Sequence, residues 1–281
     1  MAELESSTAL AAKESVIVRE IKKVFIPNQI VSNTTKRALW IFWILVGFLS
    51  WVYLTPVMIP RPMDIIYALH NLWFEKGLAE HLYNTFSTQM LAMGIAIVLS
   101  LALAYSSRFP IMRPPVLFIS TLRFISPGVL VVFLLLTFRP EGETLKLILF
   151  VFAMTVWYLT SMTQEVDEVK TSEYRHAYTL RMSELTTLKE VVIYGRLHAA
   201  WEMLRQNTAM MWAMIPMVEA LVRSGGGLGM LYANENKHLK LDEMLALIII
   251  MFTYGLLMDI LFKITHKRFF PFATIKVGGS K

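Results

Sequence analysis

Long apolar stretches alternate with short polar ones along this chain. A helix crosses roughly 30 Å of hydrocarbon in about 18 or more apolar residues, at 1.5 Å per residue. Six spans are predicted on that basis, at residues 38–58, 87–106, 115–138, 145–162, 197–222 and 244–264. Pro56 and Pro60 close the first. The third should be irregular at Ser126-Pro127-Gly128, because proline removes a backbone donor and glycine is permissive. The fifth is amphipathic in its first half and contains Pro216. No internal repeat or low-complexity linker is visible.

A polar, basic segment, EYRHAYTLRMSE at residues 173–184, interrupts the pattern between the fourth and fifth spans. From Ala177 onward, apolar residues Leu180, Leu185, Leu188, Val191 and Val192 recur at near-helical spacing, with one break at Met182-Ser183. Ser183 suits an N-cap, and Glu184 suits the first turn of the helix that follows. The expected structure is two short helices joined by a kink, lying along the membrane face. Their mixed basic and apolar surface fits a protein groove or, equally, a layer of lipid headgroups.

Composition agrees with membrane residence. The 281 residues are 56% hydrophobic and 17% charged, with a mean hydropathy of +0.52, too apolar for an ordinary soluble domain. The 27 Lys+Arg against 21 Asp+Glu is read as basic loops that fix orientation, not as a nucleic-acid surface. Cysteine is absent, which excludes disulfides, thiolate metal sites and cysteine nucleophiles. The N-terminus has no apolar h-region, so the first span is expected to start insertion itself. Basic residues near the span ends favour the side holding both termini by roughly threefold, which predicts cytoplasmic termini and a cytoplasmic 173–195 segment.

From about Arg61 to Phe272 the chain resembles the permease subunits of bacterial ABC importers, in the nitrate/sulfonate/taurine-like branch of the binding-protein-dependent type. That family carries a cytoplasmic loop of the form E-A-A-x-T-L-G-A-S, followed by a helix and a V-V-L-P step. Arg175-His176-Ala177-Tyr178-Thr179-Leu180-Arg181-Met182-Ser183 falls on the loop, and Val191-Val192-Ile193-Tyr194 on the step. Arg175 stands where the family has glutamate, Arg181 where it has glycine, and Tyr194 where it has proline. Further matches run in order: Arg61-Pro62-Met63-Asp64-Ile65, His81, Gly94, Leu122-Arg123-Phe124-Ile125-Ser126-Pro127, Arg205, Glu219, Ser224-Gly225-Gly226-Gly227-Leu228-Gly229 and Asp259.

The resemblance implies an all-α membrane protein with six transmembrane helices of the type I ABC importer permease fold and a cytoplasmic coupling helix. The organisation it gives is an N-terminal tail at 1–37, a first transmembrane helix at 38–60 and an external loop or interfacial helix at 61–80. A permease core at 81–265 follows, holding five transmembrane helices and the coupling loop 173–195, then a C-terminal tail at 266–281. Implied partners are an ABC ATPase dimer that binds ATP and Mg, a second permease copy, an external or periplasmic solute-binding protein and membrane lipid. The implied location is the bacterial cytoplasmic membrane, and the implied cargo a small solute, an anion such as nitrate, sulfonate or taurine. The ATPase-coupling residues carried over are Arg175, His176, Ala177, Thr179, Leu180, Arg181 and Ser183.

No catalytic residues, cofactor or metal site are expected in this chain. Gly225-Gly226-Gly227-Leu228-Gly229 lacks G-K-[ST] and is read as a tight turn or a close approach to a bound protein, not a phosphate loop. The histidines are scattered and are read as surface or interface residues; the methionines are read as gap fillers between helices. Charged residues at membrane depth mark a pathway or a partner. Arg123, Arg205 and Glu219 are therefore the substrate-pathway candidates. Each also has a structural reading: Arg123 could satisfy carbonyls freed near Ser126-Pro127, and Arg205 with Glu202 could snorkel. Glu219 could pair with Arg223 one turn later, and Asp259 with Lys263. A non-transporting structural or regulatory subunit, paired with a competent permease, is the alternative function. A secondary transporter fits less well, since internal repeats are absent.

Overall fold

The computed structural model describes residues 23–29, 31–54, 59–138, 141–223 and 225–271. Pro56, Met58, Arg139, Ser224, most of the N-terminal tail and the end of the C-terminal tail lie outside the described residues. Every regular element among the described residues is helical. The chain divides into two compact units, Met1–Pro62 and Met63–Lys281.

The first unit holds α1 (Asn33–Leu54). The Ser32 hydroxyl caps it by accepting from the Thr35 amide at 3.2 Å. Its apolar side chains point in all directions, with Trp40, Phe42, Trp43 and Ile44 exposed. Such a helix is at home in hydrocarbon.

The second unit contains α2 (Pro62–Phe74) from Met63 on, then α3 (Leu78–Ser106), α4 (Arg113–Thr121), α5 (Pro127–Phe138) and α6 (Gly142–Asp167). Then follow α7 (Thr171–Thr179), α8 (Glu184–Thr187), α9 (Leu197–Leu221), α10 (Leu228–Lys237) and α11 (Leu241–Phe269). The core is built on α6, whose Leu149, Met154, Tyr158, Leu159 and Met162 are sealed. Against it α3 turns a stripe of small residues, Ala92, Ala96, Ser100 and Ala104, all fully buried. Small side chains one turn apart let two backbones approach closely, which supplies packing where lipid removes the hydrophobic drive. The Ser100 hydroxyl donates to the Thr155 carbonyl at 3.0 Å across this contact.

Cross-helix bonds fix the directions of the helices. Thr85 and Lys146, both near helix starts, meet Glu219, while Arg108 and Asp167 meet at the other end. Helices α3 and α6 therefore run the same way. Lys146 meets Glu219, whereas Tyr158, three turns on, donates to the Ala200 carbonyl, so α9 runs opposite to α6. Trp201 and Trp212 donate to the carbonyls of Phe262 and Met251, so α11 runs opposite to α9.

Among the described residues four helices are long and apolar enough to cross a membrane: α1, α3, α6 and α11. A fifth crossing is counted if the bent pair Arg113–Phe124 and Gly128–Thr137 is one span. The third predicted span is thus not one helix. It breaks into α4, a tight turn at Leu122–Phe124 and α5, with a bend of 107°. Pro127 cannot donate to the preceding turn, and Ile125 is extended at φ −82°, ψ 118°. The fifth predicted span exists as a helix, α9, but is too polar to satisfy the same measure: Glu202, Arg205, Gln206, Asn207 and Glu219 lie along it.

Candidate functional site

The segment between α6 and α9 folds as two short helices with a kink. The end of α7 closes through paired bonds, Met182 N to Ala177 O at 3.2 Å and Arg181 N to Tyr178 O at 3.0 Å. This is a Schellman turn, whose residue past the cap must be left-handed. Arg181 occupies that position at φ +54°, the place where the resembled loop has glycine. The Ser183 hydroxyl then accepts from the Thr186 amide at 3.3 Å and starts α8, which continues as a wide π-type run, Leu188–Tyr194. The Tyr178 hydroxyl donates to Glu184 at 3.2 Å across the kink, and this bond pushes the phenol above its ordinary pKa. Arg196 clamps Glu173 at 3.0 Å.

Ala177, Thr187 and Val192 seat this segment on the protein. Its other apolar face is bare: Tyr178, Leu180, Leu185 and Tyr194 are each about half exposed or more, interleaved with exposed Arg175, His176, Thr179, Arg181, Ser183 and Lys189. The apolar positions expected to form one face are thus divided. Ala177 and Val192 face inward, whereas Leu180 and Leu185 face outward.

At the far end of α9, Glu219 is fully buried. The expected pairing with Arg223 does not form; the Arg223 guanidinium instead lies on the Ala220 carbonyl. A buried carboxylate needs a buried cation, and Lys146 of α6 supplies it at 3.8 Å. Glu219 also accepts from the Thr85 hydroxyl at 2.9 Å and from the Gly229 amide at 2.8 Å. Lys146 donates to the carbonyls of Gly225 and Gly226, Thr85 accepts from the Leu228 amide, and His81 accepts from the Gly227 amide at 3.1 Å. The glycine-rich turn is thereby tied to three helices. Gly225, Gly226 and Gly227 all have positive φ, and a side chain on Gly227 would collide with the Glu219 carboxylate. His81, half-buried, is therefore part of this clamp.

Arg205, nearer the start of α9, pairs with Glu202 and reaches across to Asp259 of α11. Asp259 also holds Lys263 at 2.7 Å, as expected, but the link to Arg205 was not foreseen. Arg205 and Asp259 line a mainly apolar cavity of about 360 Å³ with Gln89, Trp212 and Gly255. Trp212 stacks on Tyr254 with ring centroids 4.2 Å apart. Arg123 sits in the bend between α4 and α5, exposed, with its guanidinium over the Phe124 ring at 5.0 Å. No hydrogen bond from it reaches the carbonyls near Ser126 among the described residues. It borders a smaller cavity of about 190 Å³ with Trp157 and Met214.

The three pathway candidates do not converge. Arg205 and Glu219 are roughly four turns apart on α9, about 20 Å at 1.5 Å per residue, and Arg123 lies on a different element. Lys146 was missed, although a lone lysine at the head of an apolar run is itself a signal. Among the described residues no group of three or more His, Cys, Asp or Glu side chains could hold a metal ion. No protein-family model matches the chain, and no curated protein matches it significantly.

Proposed function

We propose that this chain is the membrane-spanning permease subunit of an ATP-driven ABC importer, with six transmembrane helices of the type I permease fold and segment 173–195 as its coupling helix. It forms the pathway for a small solute, an anion such as nitrate, sulfonate or taurine, delivered by an external binding protein. Two permease copies and an ATPase dimer, which binds ATP and Mg, complete the assembly in the bacterial cytoplasmic membrane, with both termini in the cytoplasm.

The observation that carries this reading is the kinked segment at Arg181. A lever must be short, stiff and polar enough to leave the bilayer, yet offer apolar side chains to a groove on its partner. The Schellman turn and the Ser183 cap supply the stiffness, and Tyr178, Leu180 and Leu185 supply the bare apolar face. The turn forms with arginine in the left-handed position, so the departure from the family's glycine does not remove the kink. Helix directions support the six crossings. Because α3 and α6 run the same way, the broken pair α4–α5 returns the chain to the starting face, and α9 then crosses between α6 and α11. A partner-driven tilt of such a bundle would alternate access.

The test is co-purification of the ATPase with Leu180→Asp. Burying an unpaired carboxylate in a groove costs several kcal/mol, about 3–5 where a buried pair is broken. Loss of the ATPase, or hydrolysis without uptake, is expected with the helices still folded. Intact association and uptake would leave the segment lying on lipid, and the coupling reading would fail.

A further inference from the structure

Helix α10 begins without a cap of its own. Its N-cap residue, Gly227, has no side chain, and the first amides of a helix have no partner within it. Three consecutive amides at this start are instead taken by side chains of other helices. Gly227 donates to His81 Nδ1 at 3.1 Å, Leu228 to the Thr85 hydroxyl at 2.9 Å and Gly229 to Glu219 at 2.8 Å. His81 and Thr85 stand four residues apart on α3, on one face, and so serve neighbouring amides. Gly227, Leu228 and Gly229 are all buried, so an amide that loses its side-chain partner is left costly and unpaired.

Of the three acceptor side-chain types, only imidazole ordinarily changes charge between about pH 5 and 8. The bond to Gly227 needs a bare Nδ1, with the ring proton on Nε2. A proton on Nδ1 would face the Gly227 N–H and end the bond. The charged groups acting on the ring are Glu80 on its own helix and Lys146 of α6. Glu219 of α9 and Glu143 of α6 touch the same turn, at Gly229 and Gly225. An imidazolium would therefore be a second cation near Lys146, placed at the positive end of the α10 dipole.

We propose that His81 is a proton-operated latch on the glycine-rich turn. Neutral, it caps α10 and holds the turn; protonated, it releases the Gly227 amide, while Thr85 and Glu219 keep theirs. Release is local, because Lys146 still holds the Gly225 and Gly226 carbonyls. The inference does not depend on the importer reading.

Hydrogen exchange of the full-length protein in lipid nanodiscs tests it, read at single amides and corrected for the intrinsic pH dependence of exchange. From about pH 8 to about pH 5, the range in which imidazole titrates, protection at Gly227 should fall. The expected loss is about tenfold, the order of one hydrogen bond, and Gly229 should lose much less. His81→Asn puts an amide oxygen where Nδ1 stands and cannot take up a proton, so its protection should stay high throughout. His81→Leu should show the acid level of protection at every pH. Nitrogen-15 spectra of the histidine-labelled wild type give a second reading, with the His81 signals identified by their absence from His81→Leu. The ring should carry its proton on Nε2 at pH 8 and become doubly protonated in step with the loss at Gly227. Constant protection at Gly227 across this range would overturn the inference, as would ring protonation without a change there. An equal loss in His81→Asn would also overturn it and would assign the pH dependence to a carboxylate such as Glu219.

Discussion

Lys146 Nζ lies 3.8 Å from Glu219 Oε1, with both side chains sealed from solvent. This pair holds α6 against α9, and each member also binds the glycine-rich turn, Lys146 through carbonyls and Glu219 through the Gly229 amide. Neither ion has another strong counter-charge among the described residues. The pair should therefore behave as one unit.

Lys146→Met is expected to cost about 3–5 kcal/mol, since it strands a buried carboxylate. Glu219→Gln should cost less, because its amide oxygen can still accept from Gly229. Combining the two should recover part of the loss, with a coupling of more than about 1 kcal/mol. Thermal unfolding of the purified protein measures the cycle, and hydrogen exchange at the Gly229 amide reports the turn directly. Strict additivity would mean that the two residues act independently.

Arg123 is a cation at the 107° break with no ion pair among the described residues. Among the described residues its guanidinium meets the adjacent Phe124 ring but no carbonyl or carboxylate there, so Arg123→Ala should leave folding and assembly unchanged. If it serves the solute path, uptake should fall by about tenfold or more, the loss of about 1.4 kcal/mol or more of charge-assisted binding. Arg123→Lys should restore only part of it, keeping charge without the planar fork. Full uptake by the alanine variant would remove Arg123 from the pathway.

Lys76, in the turn between α2 and α3, bridges Glu235 at 2.7 Å and Glu243. Burial alone would lower its pKa, but hydrogen bonds and attraction from the two carboxylates outweigh it and hold the pKa above the ordinary lysine value. A raised folded-state pKa contributes stability that is complete below the unfolded value and is lost only as pH rises through the raised one. From pH 6 to 9 this contact should therefore be pH-independent in the wild type. Lys76→Met should destabilise by about 1–3 kcal/mol. Acid should then partly rescue it, because a proton replaces the lost ammonium between neighbouring carboxylates. A variant whose melting temperature falls with acid in parallel with the wild type would show that the carboxylates do not depend on Lys76.

Much of the fold was legible in hydrophobic run length, because a membrane span is a local property: α1, α3, α6 and α11 could be placed from their own residues. The kink between α7 and α8 was also legible, since the Ser183 cap and the break at Met182-Ser183 are local signals. Partner choice was not. Glu219 has Arg223 one turn away on its own helix, and nothing local says that Lys146, on another helix, lies nearer. The inward turn of Ala177 and outward turn of Leu180 was hidden for the same reason. A two-helix kink changes the phase of the apolar stripe, and one continuous periodicity cannot describe it. The stripe Ala92-Ala96-Ser100-Ala104 was readable at one-turn spacing but gives no direction without knowing what packs on it.

Arg181 carries the last prediction. Its left-handed backbone, φ +54°, costs an L-residue roughly 1–2 kcal/mol relative to a right-handed one. Glycine avoids that cost but loses about 0.5–1 kcal/mol more chain entropy on ordering. Arg181→Gly should therefore leave the kink as stable as before or stabilise it by up to about 1 kcal/mol. Arg181→Val, β-branched and poorly tolerated at positive φ, should loosen it. The reporter is hydrogen exchange at the Met182 amide, whose bond to the Ala177 carbonyl closes the turn. Exchange should be unchanged or slower in the glycine variant and faster in the valine one. Uptake then separates backbone from side chain. If Arg181→Gly preserves the turn yet reduces uptake, the guanidinium itself engages the partner, and a charge reversal on the partner should restore transport. If both turn and uptake survive, the arginine is a tolerated occupant of a glycine position. Slower exchange in Arg181→Val than in the wild type would mean that the left-handed geometry does not govern the kink.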